Sequence, residues 1–242
     1  MVAFVRRWRG AASIMVIPPN GGAERLFSTG PDPAPGRGMG GGCFCWHPSG
    51  QGVVYAAVDG EIWWQPIGRA AVQLTALGRE CRAPNMAPNG EYFVFAVDDA
   101  EVWQQEMDVD VCAVASMRLD SGSDSFCFDP VVSPCSSTVV WQGWSPPDMP
   151  WDGAGVVTCT VHSGELSRWQ PHEAAAQQPR FVPDGSRVWV DDANGWLNVR
   201  VDGELVLAES AEQAGPTWGM GQRSFAVSPD SSHVAFCRNE GG

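Results

Sequence analysis

The fold of this chain is decided by a stretch that recurs five times: an apolar strand, a turn centred on proline, and a second apolar strand. Proline fixes φ at the first turn position, and Asn-Gly or Asp-Gly permits a tight reversal, so each copy predicts a β-hairpin. The turn prolines Pro48, Pro88, Pro134, Pro183 and Pro229 are 40, 46, 49 and 46 residues apart. The copies read FCWHPSGQGVVY (44–55), NMAPNGEYFVF (85–95), VVSPCSSTVVW (131–141), RFVPDGSRVW (180–189) and AVSPDSSHVAF (226–236).

A second pair of strands follows each of the first four hairpins. Four strands per repeat at this period are typical of a β-propeller blade. We therefore predict an all-β fold, a β-propeller of about five four-stranded blades over residues 13–242, with an N-terminal arm at residues 1–12. The additional strands include EIWWQPI (61–67) with AVQLT (71–75), EVWQ (101–104) with residues 111–117, and GWLNVR (195–200) with ELVL (204–207).

Predicted strands at the two ends of the chain do not belong to any of the four complete repeats. The fifth hairpin, within residues 224–238, has no second pair, while SIMVI (13–17) and AERLF (23–27) precede the first blade. One hypothesis is that these N- and C-terminal strands pair in a shared blade and close the ring, which would remove two sheet edges. The alternative is an open arc of a larger ring, with exposed edges at both ends.

Charge and cysteine placement limit the partners and the cellular compartment that we expect for this chain. It has 28 acidic residues against 15 basic ones, all arginine, so nucleic acid and anionic membranes are not expected partners. The apolar run near residues 11–17 is short for a signal peptide, and no stretch is long enough to span a bilayer. The eight cysteines lie mostly in strand-like runs, which favours a reduced, cytoplasmic protein.

One loop carries a more specific signal. The segment DMPWDG (148–153) resembles a motif in the propeller of prolyl oligopeptidase family serine peptidases, in the acylaminoacyl-peptidase and dipeptidyl-peptidase-like branch. GGGCF (40–44), NGWLN (194–198) and GPTWGMGQRSFA (215–226) match in the same order, so the resemblance covers roughly residues 13–237. It implies a propeller that caps the active site of an α/β-hydrolase domain and admits short or unstructured peptides.

Catalysis is where the chain departs from that family. No Gly-x-Ser-x-Gly nucleophile motif occurs, and the hydrolase domain is not part of this sequence. We therefore predict a noncatalytic, substrate-gating propeller, not itself an enzyme, whose partner is an α/β-hydrolase domain in cis or in trans. A fragment of a longer peptidase, a decayed copy and an independent domain all fit. The alternative function is a stand-alone scaffold for a peptide or protein ligand.

The loop between the second and third strands of the third repeat is the candidate recognition or interface loop. Acidic and aromatic side chains together suit a cationic or peptide ligand. In the competing interpretation Trp151 packs between blades, and its truncation to alanine would then cost roughly 3–5 kcal/mol. The candidate residues are Trp144, Asp148, Met149, Trp151 and Asp152.

Other chemistry-bearing residues predict structural roles. The histidines have no metal-ligand spacing, Cys43 and Cys45 are expected to pack as small apolar residues, and the aspartate pairs are turn formers. The Cys-Ser-Ser sequence that follows Pro134 indicates relaxed constraint at this turn or a longer turn. No catalytic residue, metal site or cofactor is predicted. The residues weighed are His47, His162, His172, His233, Asp98, Asp99, Asp191 and Asp192.

Overall fold

The computed structural model describes residues 1–35, 42–108, 115–171 and 173–239. Cys112, His172, the first two glycines of the 40–44 match, and residues 111–114 of a predicted strand lie outside them. The described chain forms six antiparallel sheets and one short helix, which confirms the predicted all-β propeller. None of its helical segments has the length and apolarity needed to cross a membrane.

Four of the sheets are four-stranded blades with strands in chain order. Blade 1 contains β4 (Phe44–Trp46), β5 (Gly52–Ala56), β6 (Ile62–Pro66) and β7 (Val72–Gln73). Blade 2 contains β8 (Cys81–Met86), β9 (Tyr92–Val97), β10 (Glu101–Glu106) and β11 (Ser116–Arg118). Blade 3 contains β12 (Phe126–Val132), β13 (Thr138–Trp144), β14 (Gly155–Thr160) and β15 (Glu165–Trp169), with helix α1 (Pro150–Gly153) between β13 and β14. Blade 4 contains β16 (Ala176–Phe181), β17 (Arg187–Asp191), β18 (Asn198–Val201) and β19 (Glu204–Leu205).

The other two sheets are smaller and lie at the chain ends. The N-terminal sheet contains β1 (Val2–Trp8), β2 (Ala11–Ile17) and β3 (Arg25–Leu26) in that order. The C-terminal hairpin contains β20 (Phe225–Val227) and β21 (Val234–Phe236).

The predicted turn is present in all five copies. In each, a backbone N–H donates to the carbonyl three residues earlier, as from Gly50 to His47 at 2.8 Å and from Gly185 to Val182 at 2.9 Å. The expectation of a longer third turn is wrong. Ser136 donates to Ser133 at 2.9 Å and adopts φ 58°, the conformation that Gly90 adopts with φ 77° in blade 2. Its carbonyl accepts the Tyr92 hydroxyl at 2.8 Å, a contact that holds this serine in place.

The proposed pairing of the chain ends is also wrong within the described residues, because the terminal strands belong to two separate sheets. The predicted arm at residues 1–12 is not separate from the fold: Val2–Trp8 is strand β1, which pairs with β2 from Val2 opposite Ile17 to Trp8 opposite Ala11. Strand β3 pairs along the other side of β2. Both edges of β2 therefore have partners without any contribution from the C-terminus.

Apolar side chains between neighbouring sheets form the core. Phe93 and Phe95 of blade 2 pack with Val54 and Ile62 of blade 1, and Trp141 of blade 3 packs with Tyr92 of blade 2. The same stacking joins the N-terminal sheet to blade 1 through Ile14, and the C-terminal hairpin to blade 4 through Phe225, Val227, Val234 and Phe236.

Candidate functional site

The segment 215–224, called here the central segment, lies against the first strands of blades 3 and 4. Blades 3 and 4 hold it through buried side chains. The Gln177 amide donates to the Gly215 carbonyl at 3.1 Å, and the Thr217 hydroxyl donates to the Gln177 side-chain oxygen. The Gln178 side chain accepts the Ser224 N–H at 2.9 Å and donates to the Ser224 hydroxyl at 3.0 Å. These amide contacts fix both ends of the segment.

A buried carboxylate holds the middle of the central segment. Asp129 of β12 accepts the Gly221 N–H at 2.7 Å, and its other oxygen lies 3.3 Å from the Arg180 guanidinium and 3.7 Å from that of Arg223. Burial raises the pKa of Asp129, whereas Arg223 and the Gly221 N–H oppose that change. Arg180 also donates to the Gln222 carbonyl at 3.4 Å, so one charge cluster anchors two neighbouring residues of the segment.

The central segment also contacts the entrance to blade 1. A Cβ atom built on Gly42 would lie 2.4 Å from the Gly221 Cα, and Gly42 has φ 87°. Only glycine permits this backbone approach. The segment therefore contacts residues from blades 1, 3 and 4.

Three residues of the innermost strands share an unusual backbone conformation. Ala83, Asp129 and Gln178 have φ of 48°, 53° and 56°, and each precedes a proline inside a β-bulge. Non-glycine residues seldom adopt this region, and it costs about 1–3 kcal/mol. Each lies five positions before its turn proline, so the same strain recurs in three blades. This backbone conformation orients the side chains of Asp129 and Gln178 towards the central segment.

Trp218 lies at the tip of the central segment and is 73% exposed. Beside it is a cavity of about 290 Å³ whose apolar wall includes Phe128 and Met220. Its polar wall includes Arg82 and Asp99, whose side chains approach within 3.5 Å. Burial raises the pKa of Asp99. This arrangement can hold an apolar group against aromatic rings with polar groups at one side.

The predicted recognition loop meets the central segment. Trp151, half-buried on α1, contacts Trp218 with ring centroids 5.1 Å apart and an angle of 54° between the planes. Met149 is 47% exposed, and its N–H donates to Asp152 at 3.2 Å. Asp148 and Asp152 are exposed at the same loop.

Trp144 differs from the rest of the predicted set. It is buried, stacks on Phe126 with centroids 5.1 Å apart, and meets Phe128 edge-on at 4.7 Å. Four of the five candidates thus lie at the loop, whereas Trp144 is buried at the end of β13 and packs against Phe126 and Phe128. Asp129, Gln177 and Gln178 were missed by sequence reasoning, although their fixed spacing from the turn prolines is a readable signal.

Cys43 and Cys45 are enclosed by the fold, and Asp98, Asp191 and Asp192 make hydrogen bonds or ion pairs within it. Burial raises the pKa of both Cys43 and Cys45 to about 12, so these thiols remain protonated. Asp191 is fully buried and accepts the Trp189 indole N–H at 2.8 Å, while Asp192 accepts the Ala175 N–H at 2.8 Å. Asp98 forms an ion pair with Arg79 at 2.8 Å.

The histidines make local contacts. His47 lies 2.8 Å from the Ser49 hydroxyl and His233 lies 2.6 Å from the Ser232 hydroxyl, while His162 is exposed. Among the residues that the structure describes, no group of three His, Cys, Asp or Glu side chains is arranged to hold a metal ion.

Known structures share this fold. A puromycin-hydrolysing peptidase from Mycobacterium tuberculosis matches with a TM-score of 0.79 and 22% identity, over 96% of this chain and 39% of the peptidase. A puromycin hydrolase matches with a TM-score of 0.70 and 20% identity, over 99% of this chain and 45% of that enzyme. TolB from Acinetobacter baumannii matches with a TM-score of 0.62 and 13% identity, over 99% of this chain and 64% of TolB.

Those matches confirm the expected resemblance to a peptidase propeller at the level of the fold. The chain corresponds to the propeller portion of the two peptidases and spans less than half of their length. No protein-family model and no curated protein sequence matches it.

Proposed function

We propose that this chain is a noncatalytic propeller that controls which peptides reach the active site of an α/β-hydrolase domain, present in cis or in trans. The fold shared with peptidases supports the proposal. The observation that carries it is the contact between Trp218 and Trp151 beside the cavity that Phe128 and Met220 line. Trp218, exposed on the anchored central segment, and the half-buried Trp151 together offer a large apolar contact at little cost in conformational entropy.

Peptide binding at this pair can be measured by NMR on the ¹⁵N-labelled chain. A short unstructured peptide rich in apolar residues should shift the indole N–H signals of Trp151 and Trp218. Trp196, 40% exposed on blade 4 and outside the cavity wall, serves as the control and should not shift. Trp218→Ala should weaken binding by about tenfold or more, as expected for an interface aromatic. Uniform shifts, or unchanged affinity of the variant, would contradict the proposal.

The noncatalytic part of the proposal has its own test. The purified chain should not turn over an acyl-amino-acid anilide or a nitrophenyl ester, because covalent catalysis needs a nucleophile activated by a positioned base. Hydrolysis that persists after purification to homogeneity and co-elutes with the propeller would overturn this part of the proposal.

The second candidate function is a stand-alone scaffold that binds a peptide or protein without a hydrolase. The likeness to TolB favours the scaffold function, because TolB shares the propeller fold and is a match separate from the two peptidases. The two functions differ in what accompanies the propeller. A Gly-x-Ser-x-Gly hydrolase domain in the same gene product supports gating, whereas a stoichiometric complex with a protein other than a hydrolase supports the scaffold.

A further inference from the structure

Phe128 occupies a position of the repeat at which no other copy has an aromatic residue. Six residues before the turn proline, the other copies have a glycine or a polar residue, namely Gly42, Arg82, Gln177 and Arg223. The glycine permits the close backbone approach to the central segment, the glutamine binds that segment, and both arginines form ion pairs. Phe128 instead contributes a half-buried aromatic ring.

The β-bulge of β12 places Phe128 beside the central segment. Phe128 directly precedes Asp129, whose φ is 53°, and the strand register shifts just after it. Because Asp129 accepts the Gly221 N–H at 2.7 Å, this part of β12 is fixed against the segment. Phe128 and Met220 consequently line the same cavity, next to Trp218.

Packing inside blade 3 holds the Phe128 ring in place. Buried Trp144 meets it edge-on with ring centroids 4.7 Å apart, and Ala154 and Ala175 belong to the same cluster. Trp144 is itself stacked on Phe126 with centroids 5.1 Å apart. An aromatic surface held in this way is ordered before a ligand arrives, so binding against it costs little conformational entropy.

The cavity that Phe128 lines has room for one large side chain. Its volume is about 290 Å³. An apolar cavity of about 150 Å³ already accommodates a benzene ring, whereas pockets that enclose whole small-molecule ligands measure about 300–1,000 Å³. The cavity therefore suits an aromatic side chain rather than a whole peptide. Several of its lining residues are small, which leaves this space open, namely Ala34, Gly42, Cys43, Ala83 and Gly219.

The charges of the cavity favour a neutral side chain. Among the described residues that line it, Arg82 and Asp99 are the charged ones, and their side chains lie 3.5 Å apart. Because the two charges compensate each other, a charged ligand group would have to compete with this ion pair. An aromatic ring pays no such cost and gains contact with Phe128.

We propose that this cavity selects peptides with an aromatic side chain, and that Phe128 is the residue that determines this specificity. The aromatic specificity rests on the gating function proposed above and names the class of peptide that the site takes. The peptide's ring inserts beside Phe128 and Met220, while Trp218 contacts the rest of the peptide at the surface. A small side chain would leave most of the cavity unfilled and would gain few van der Waals contacts.

Two matched peptides test the aromatic specificity. Both have the sequence Ser-Val-Xaa-Val-Ser with blocked termini, and Xaa is phenylalanine in one and alanine in the other. In NMR titrations of the ¹⁵N-labelled full chain, the phenylalanine peptide should shift the Trp218 indole signal and bind about tenfold or more tightly than the alanine peptide, because its ring leaves water. Equal dissociation constants would overturn the aromatic specificity and leave the gating function intact. If neither peptide shifts the Trp218 signal, the gating function fails and the specificity fails with it.

Substitutions of Phe128 test its role with the same two peptides. Phe128→Ala should bring the two dissociation constants close together, because it removes the aromatic wall. Phe128→Leu, which keeps an apolar side chain and spares the fold if Phe128→Ala does not fold, should reduce the preference by about two- to tenfold through loss of the contact between rings. An unchanged preference in Phe128→Leu would overturn the role of Phe128.

Phe126→Ala is the matched control. Phe126 packs on the same Trp144 ring but is not among the residues that line the cavity, so this variant should keep the preference for the phenylalanine peptide. If Phe126→Ala lost the preference as fully as Phe128→Ala, the packing of Trp144 would decide the specificity and the role assigned to Phe128 would be wrong.

Discussion

The internal blades and the C-terminal hairpin share one local sequence pattern, but their aromatic side chains are buried to different extents. Tyr55, Phe95, Trp141 and Phe236 occupy one position of the repeat, seven residues after the turn proline. The first three are at most 1% exposed, whereas Phe236 is half-buried. Local chemistry makes the same hairpin in each copy, and the difference comes from neighbours, since the internal sheets are covered on both faces and the hairpin on one. Hydrophobic stabilisation in this fold should therefore decline towards the chain ends.

The largest effect expected is that of Trp141→Ala in blade 3. Removing this buried ring should lower the free energy of unfolding by about 3–5 kcal/mol. Phe236→Ala, at the same repeat position of the C-terminal hairpin, should cost about half as much or less because half-burial removes less apolar surface from water. Urea unfolding of both variants measures the difference. Equal costs would mean that the hairpin is covered in solution.

The next effect concerns the polar contacts that attach the hairpin to blade 4. Gln178→Ala removes two hydrogen bonds to Ser224 and leaves a buried N–H unsatisfied, which should cost about 1–3 kcal/mol. Amide hydrogen exchange should also become faster in the central segment. Gln51→Ala, at an exposed position of blade 1, is the control and should change neither quantity. Exchange that stays slow would show that the Gln177 and Asp129 contacts are enough to anchor the segment.

Trp151→Ala should have a smaller effect than the sequence alone suggested. Because Trp151 is half-buried and its ring contacts Trp218 at a surface loop, we expect a loss of about 1–2 kcal/mol, below the value for a fully buried aromatic. Denaturant midpoints of this variant and of Trp218→Ala measure it. A loss as large as that of Trp141→Ala would support packing between the blades.

The smallest expected effect concerns Asp98 and Asp99, two adjacent carboxylates of blade 2 whose pKa values shift in opposite directions. The Glu80 N–H and Arg79 lower the pKa of Asp98, whereas burial raises the pKa of Asp99. A lowered pKa means that ionised Asp98 stabilises the fold above its unfolded pKa, and that this contribution is lost as pH falls through the folded value. Ionised Asp99 instead costs stability above its raised pKa, and the cost is relieved as pH falls through it.

Substitution by asparagine tests this opposition, because asparagine tolerates the positive φ of both positions. Near neutral pH, Asp98→Asn should lower the unfolding free energy by about 0.2–1 kcal/mol, the range for exposed ion pairs. Asp99→Asn should raise it or leave it unchanged. Thermal unfolding over a pH series measures both. Changes of the same sign in the two variants would show that the Arg82 contact, and not burial, dominates at Asp99.

Sequence reasoning predicted the features that depend on neighbours along the chain. The turn prolines determine five hairpins, and alternating apolar residues determine the strands around them, so the blades and the all-β class could be read directly. Even the turn at Pro134, without Asn-Gly or Asp-Gly, follows the pattern, because Ser136 adopts the conformation that glycine has elsewhere. The candidate loop was found for a similar reason, since aromatic and acidic residues crowd one short connection.

Only the tertiary structure decided how distant segments meet. The bond from Gly221 to Asp129 joins residues 92 positions apart, and the contact of Trp151 with Trp218 joins two connecting loops. The separation of the chain ends into two sheets depends on β1, whose pairing with β2 satisfies an edge that sequence reasoning had assigned to the C-terminus. Hairpin formation is governed by backbone chemistry within about ten residues. Which faces and edges remain open is governed by packing between blades, and no local pattern carries that information.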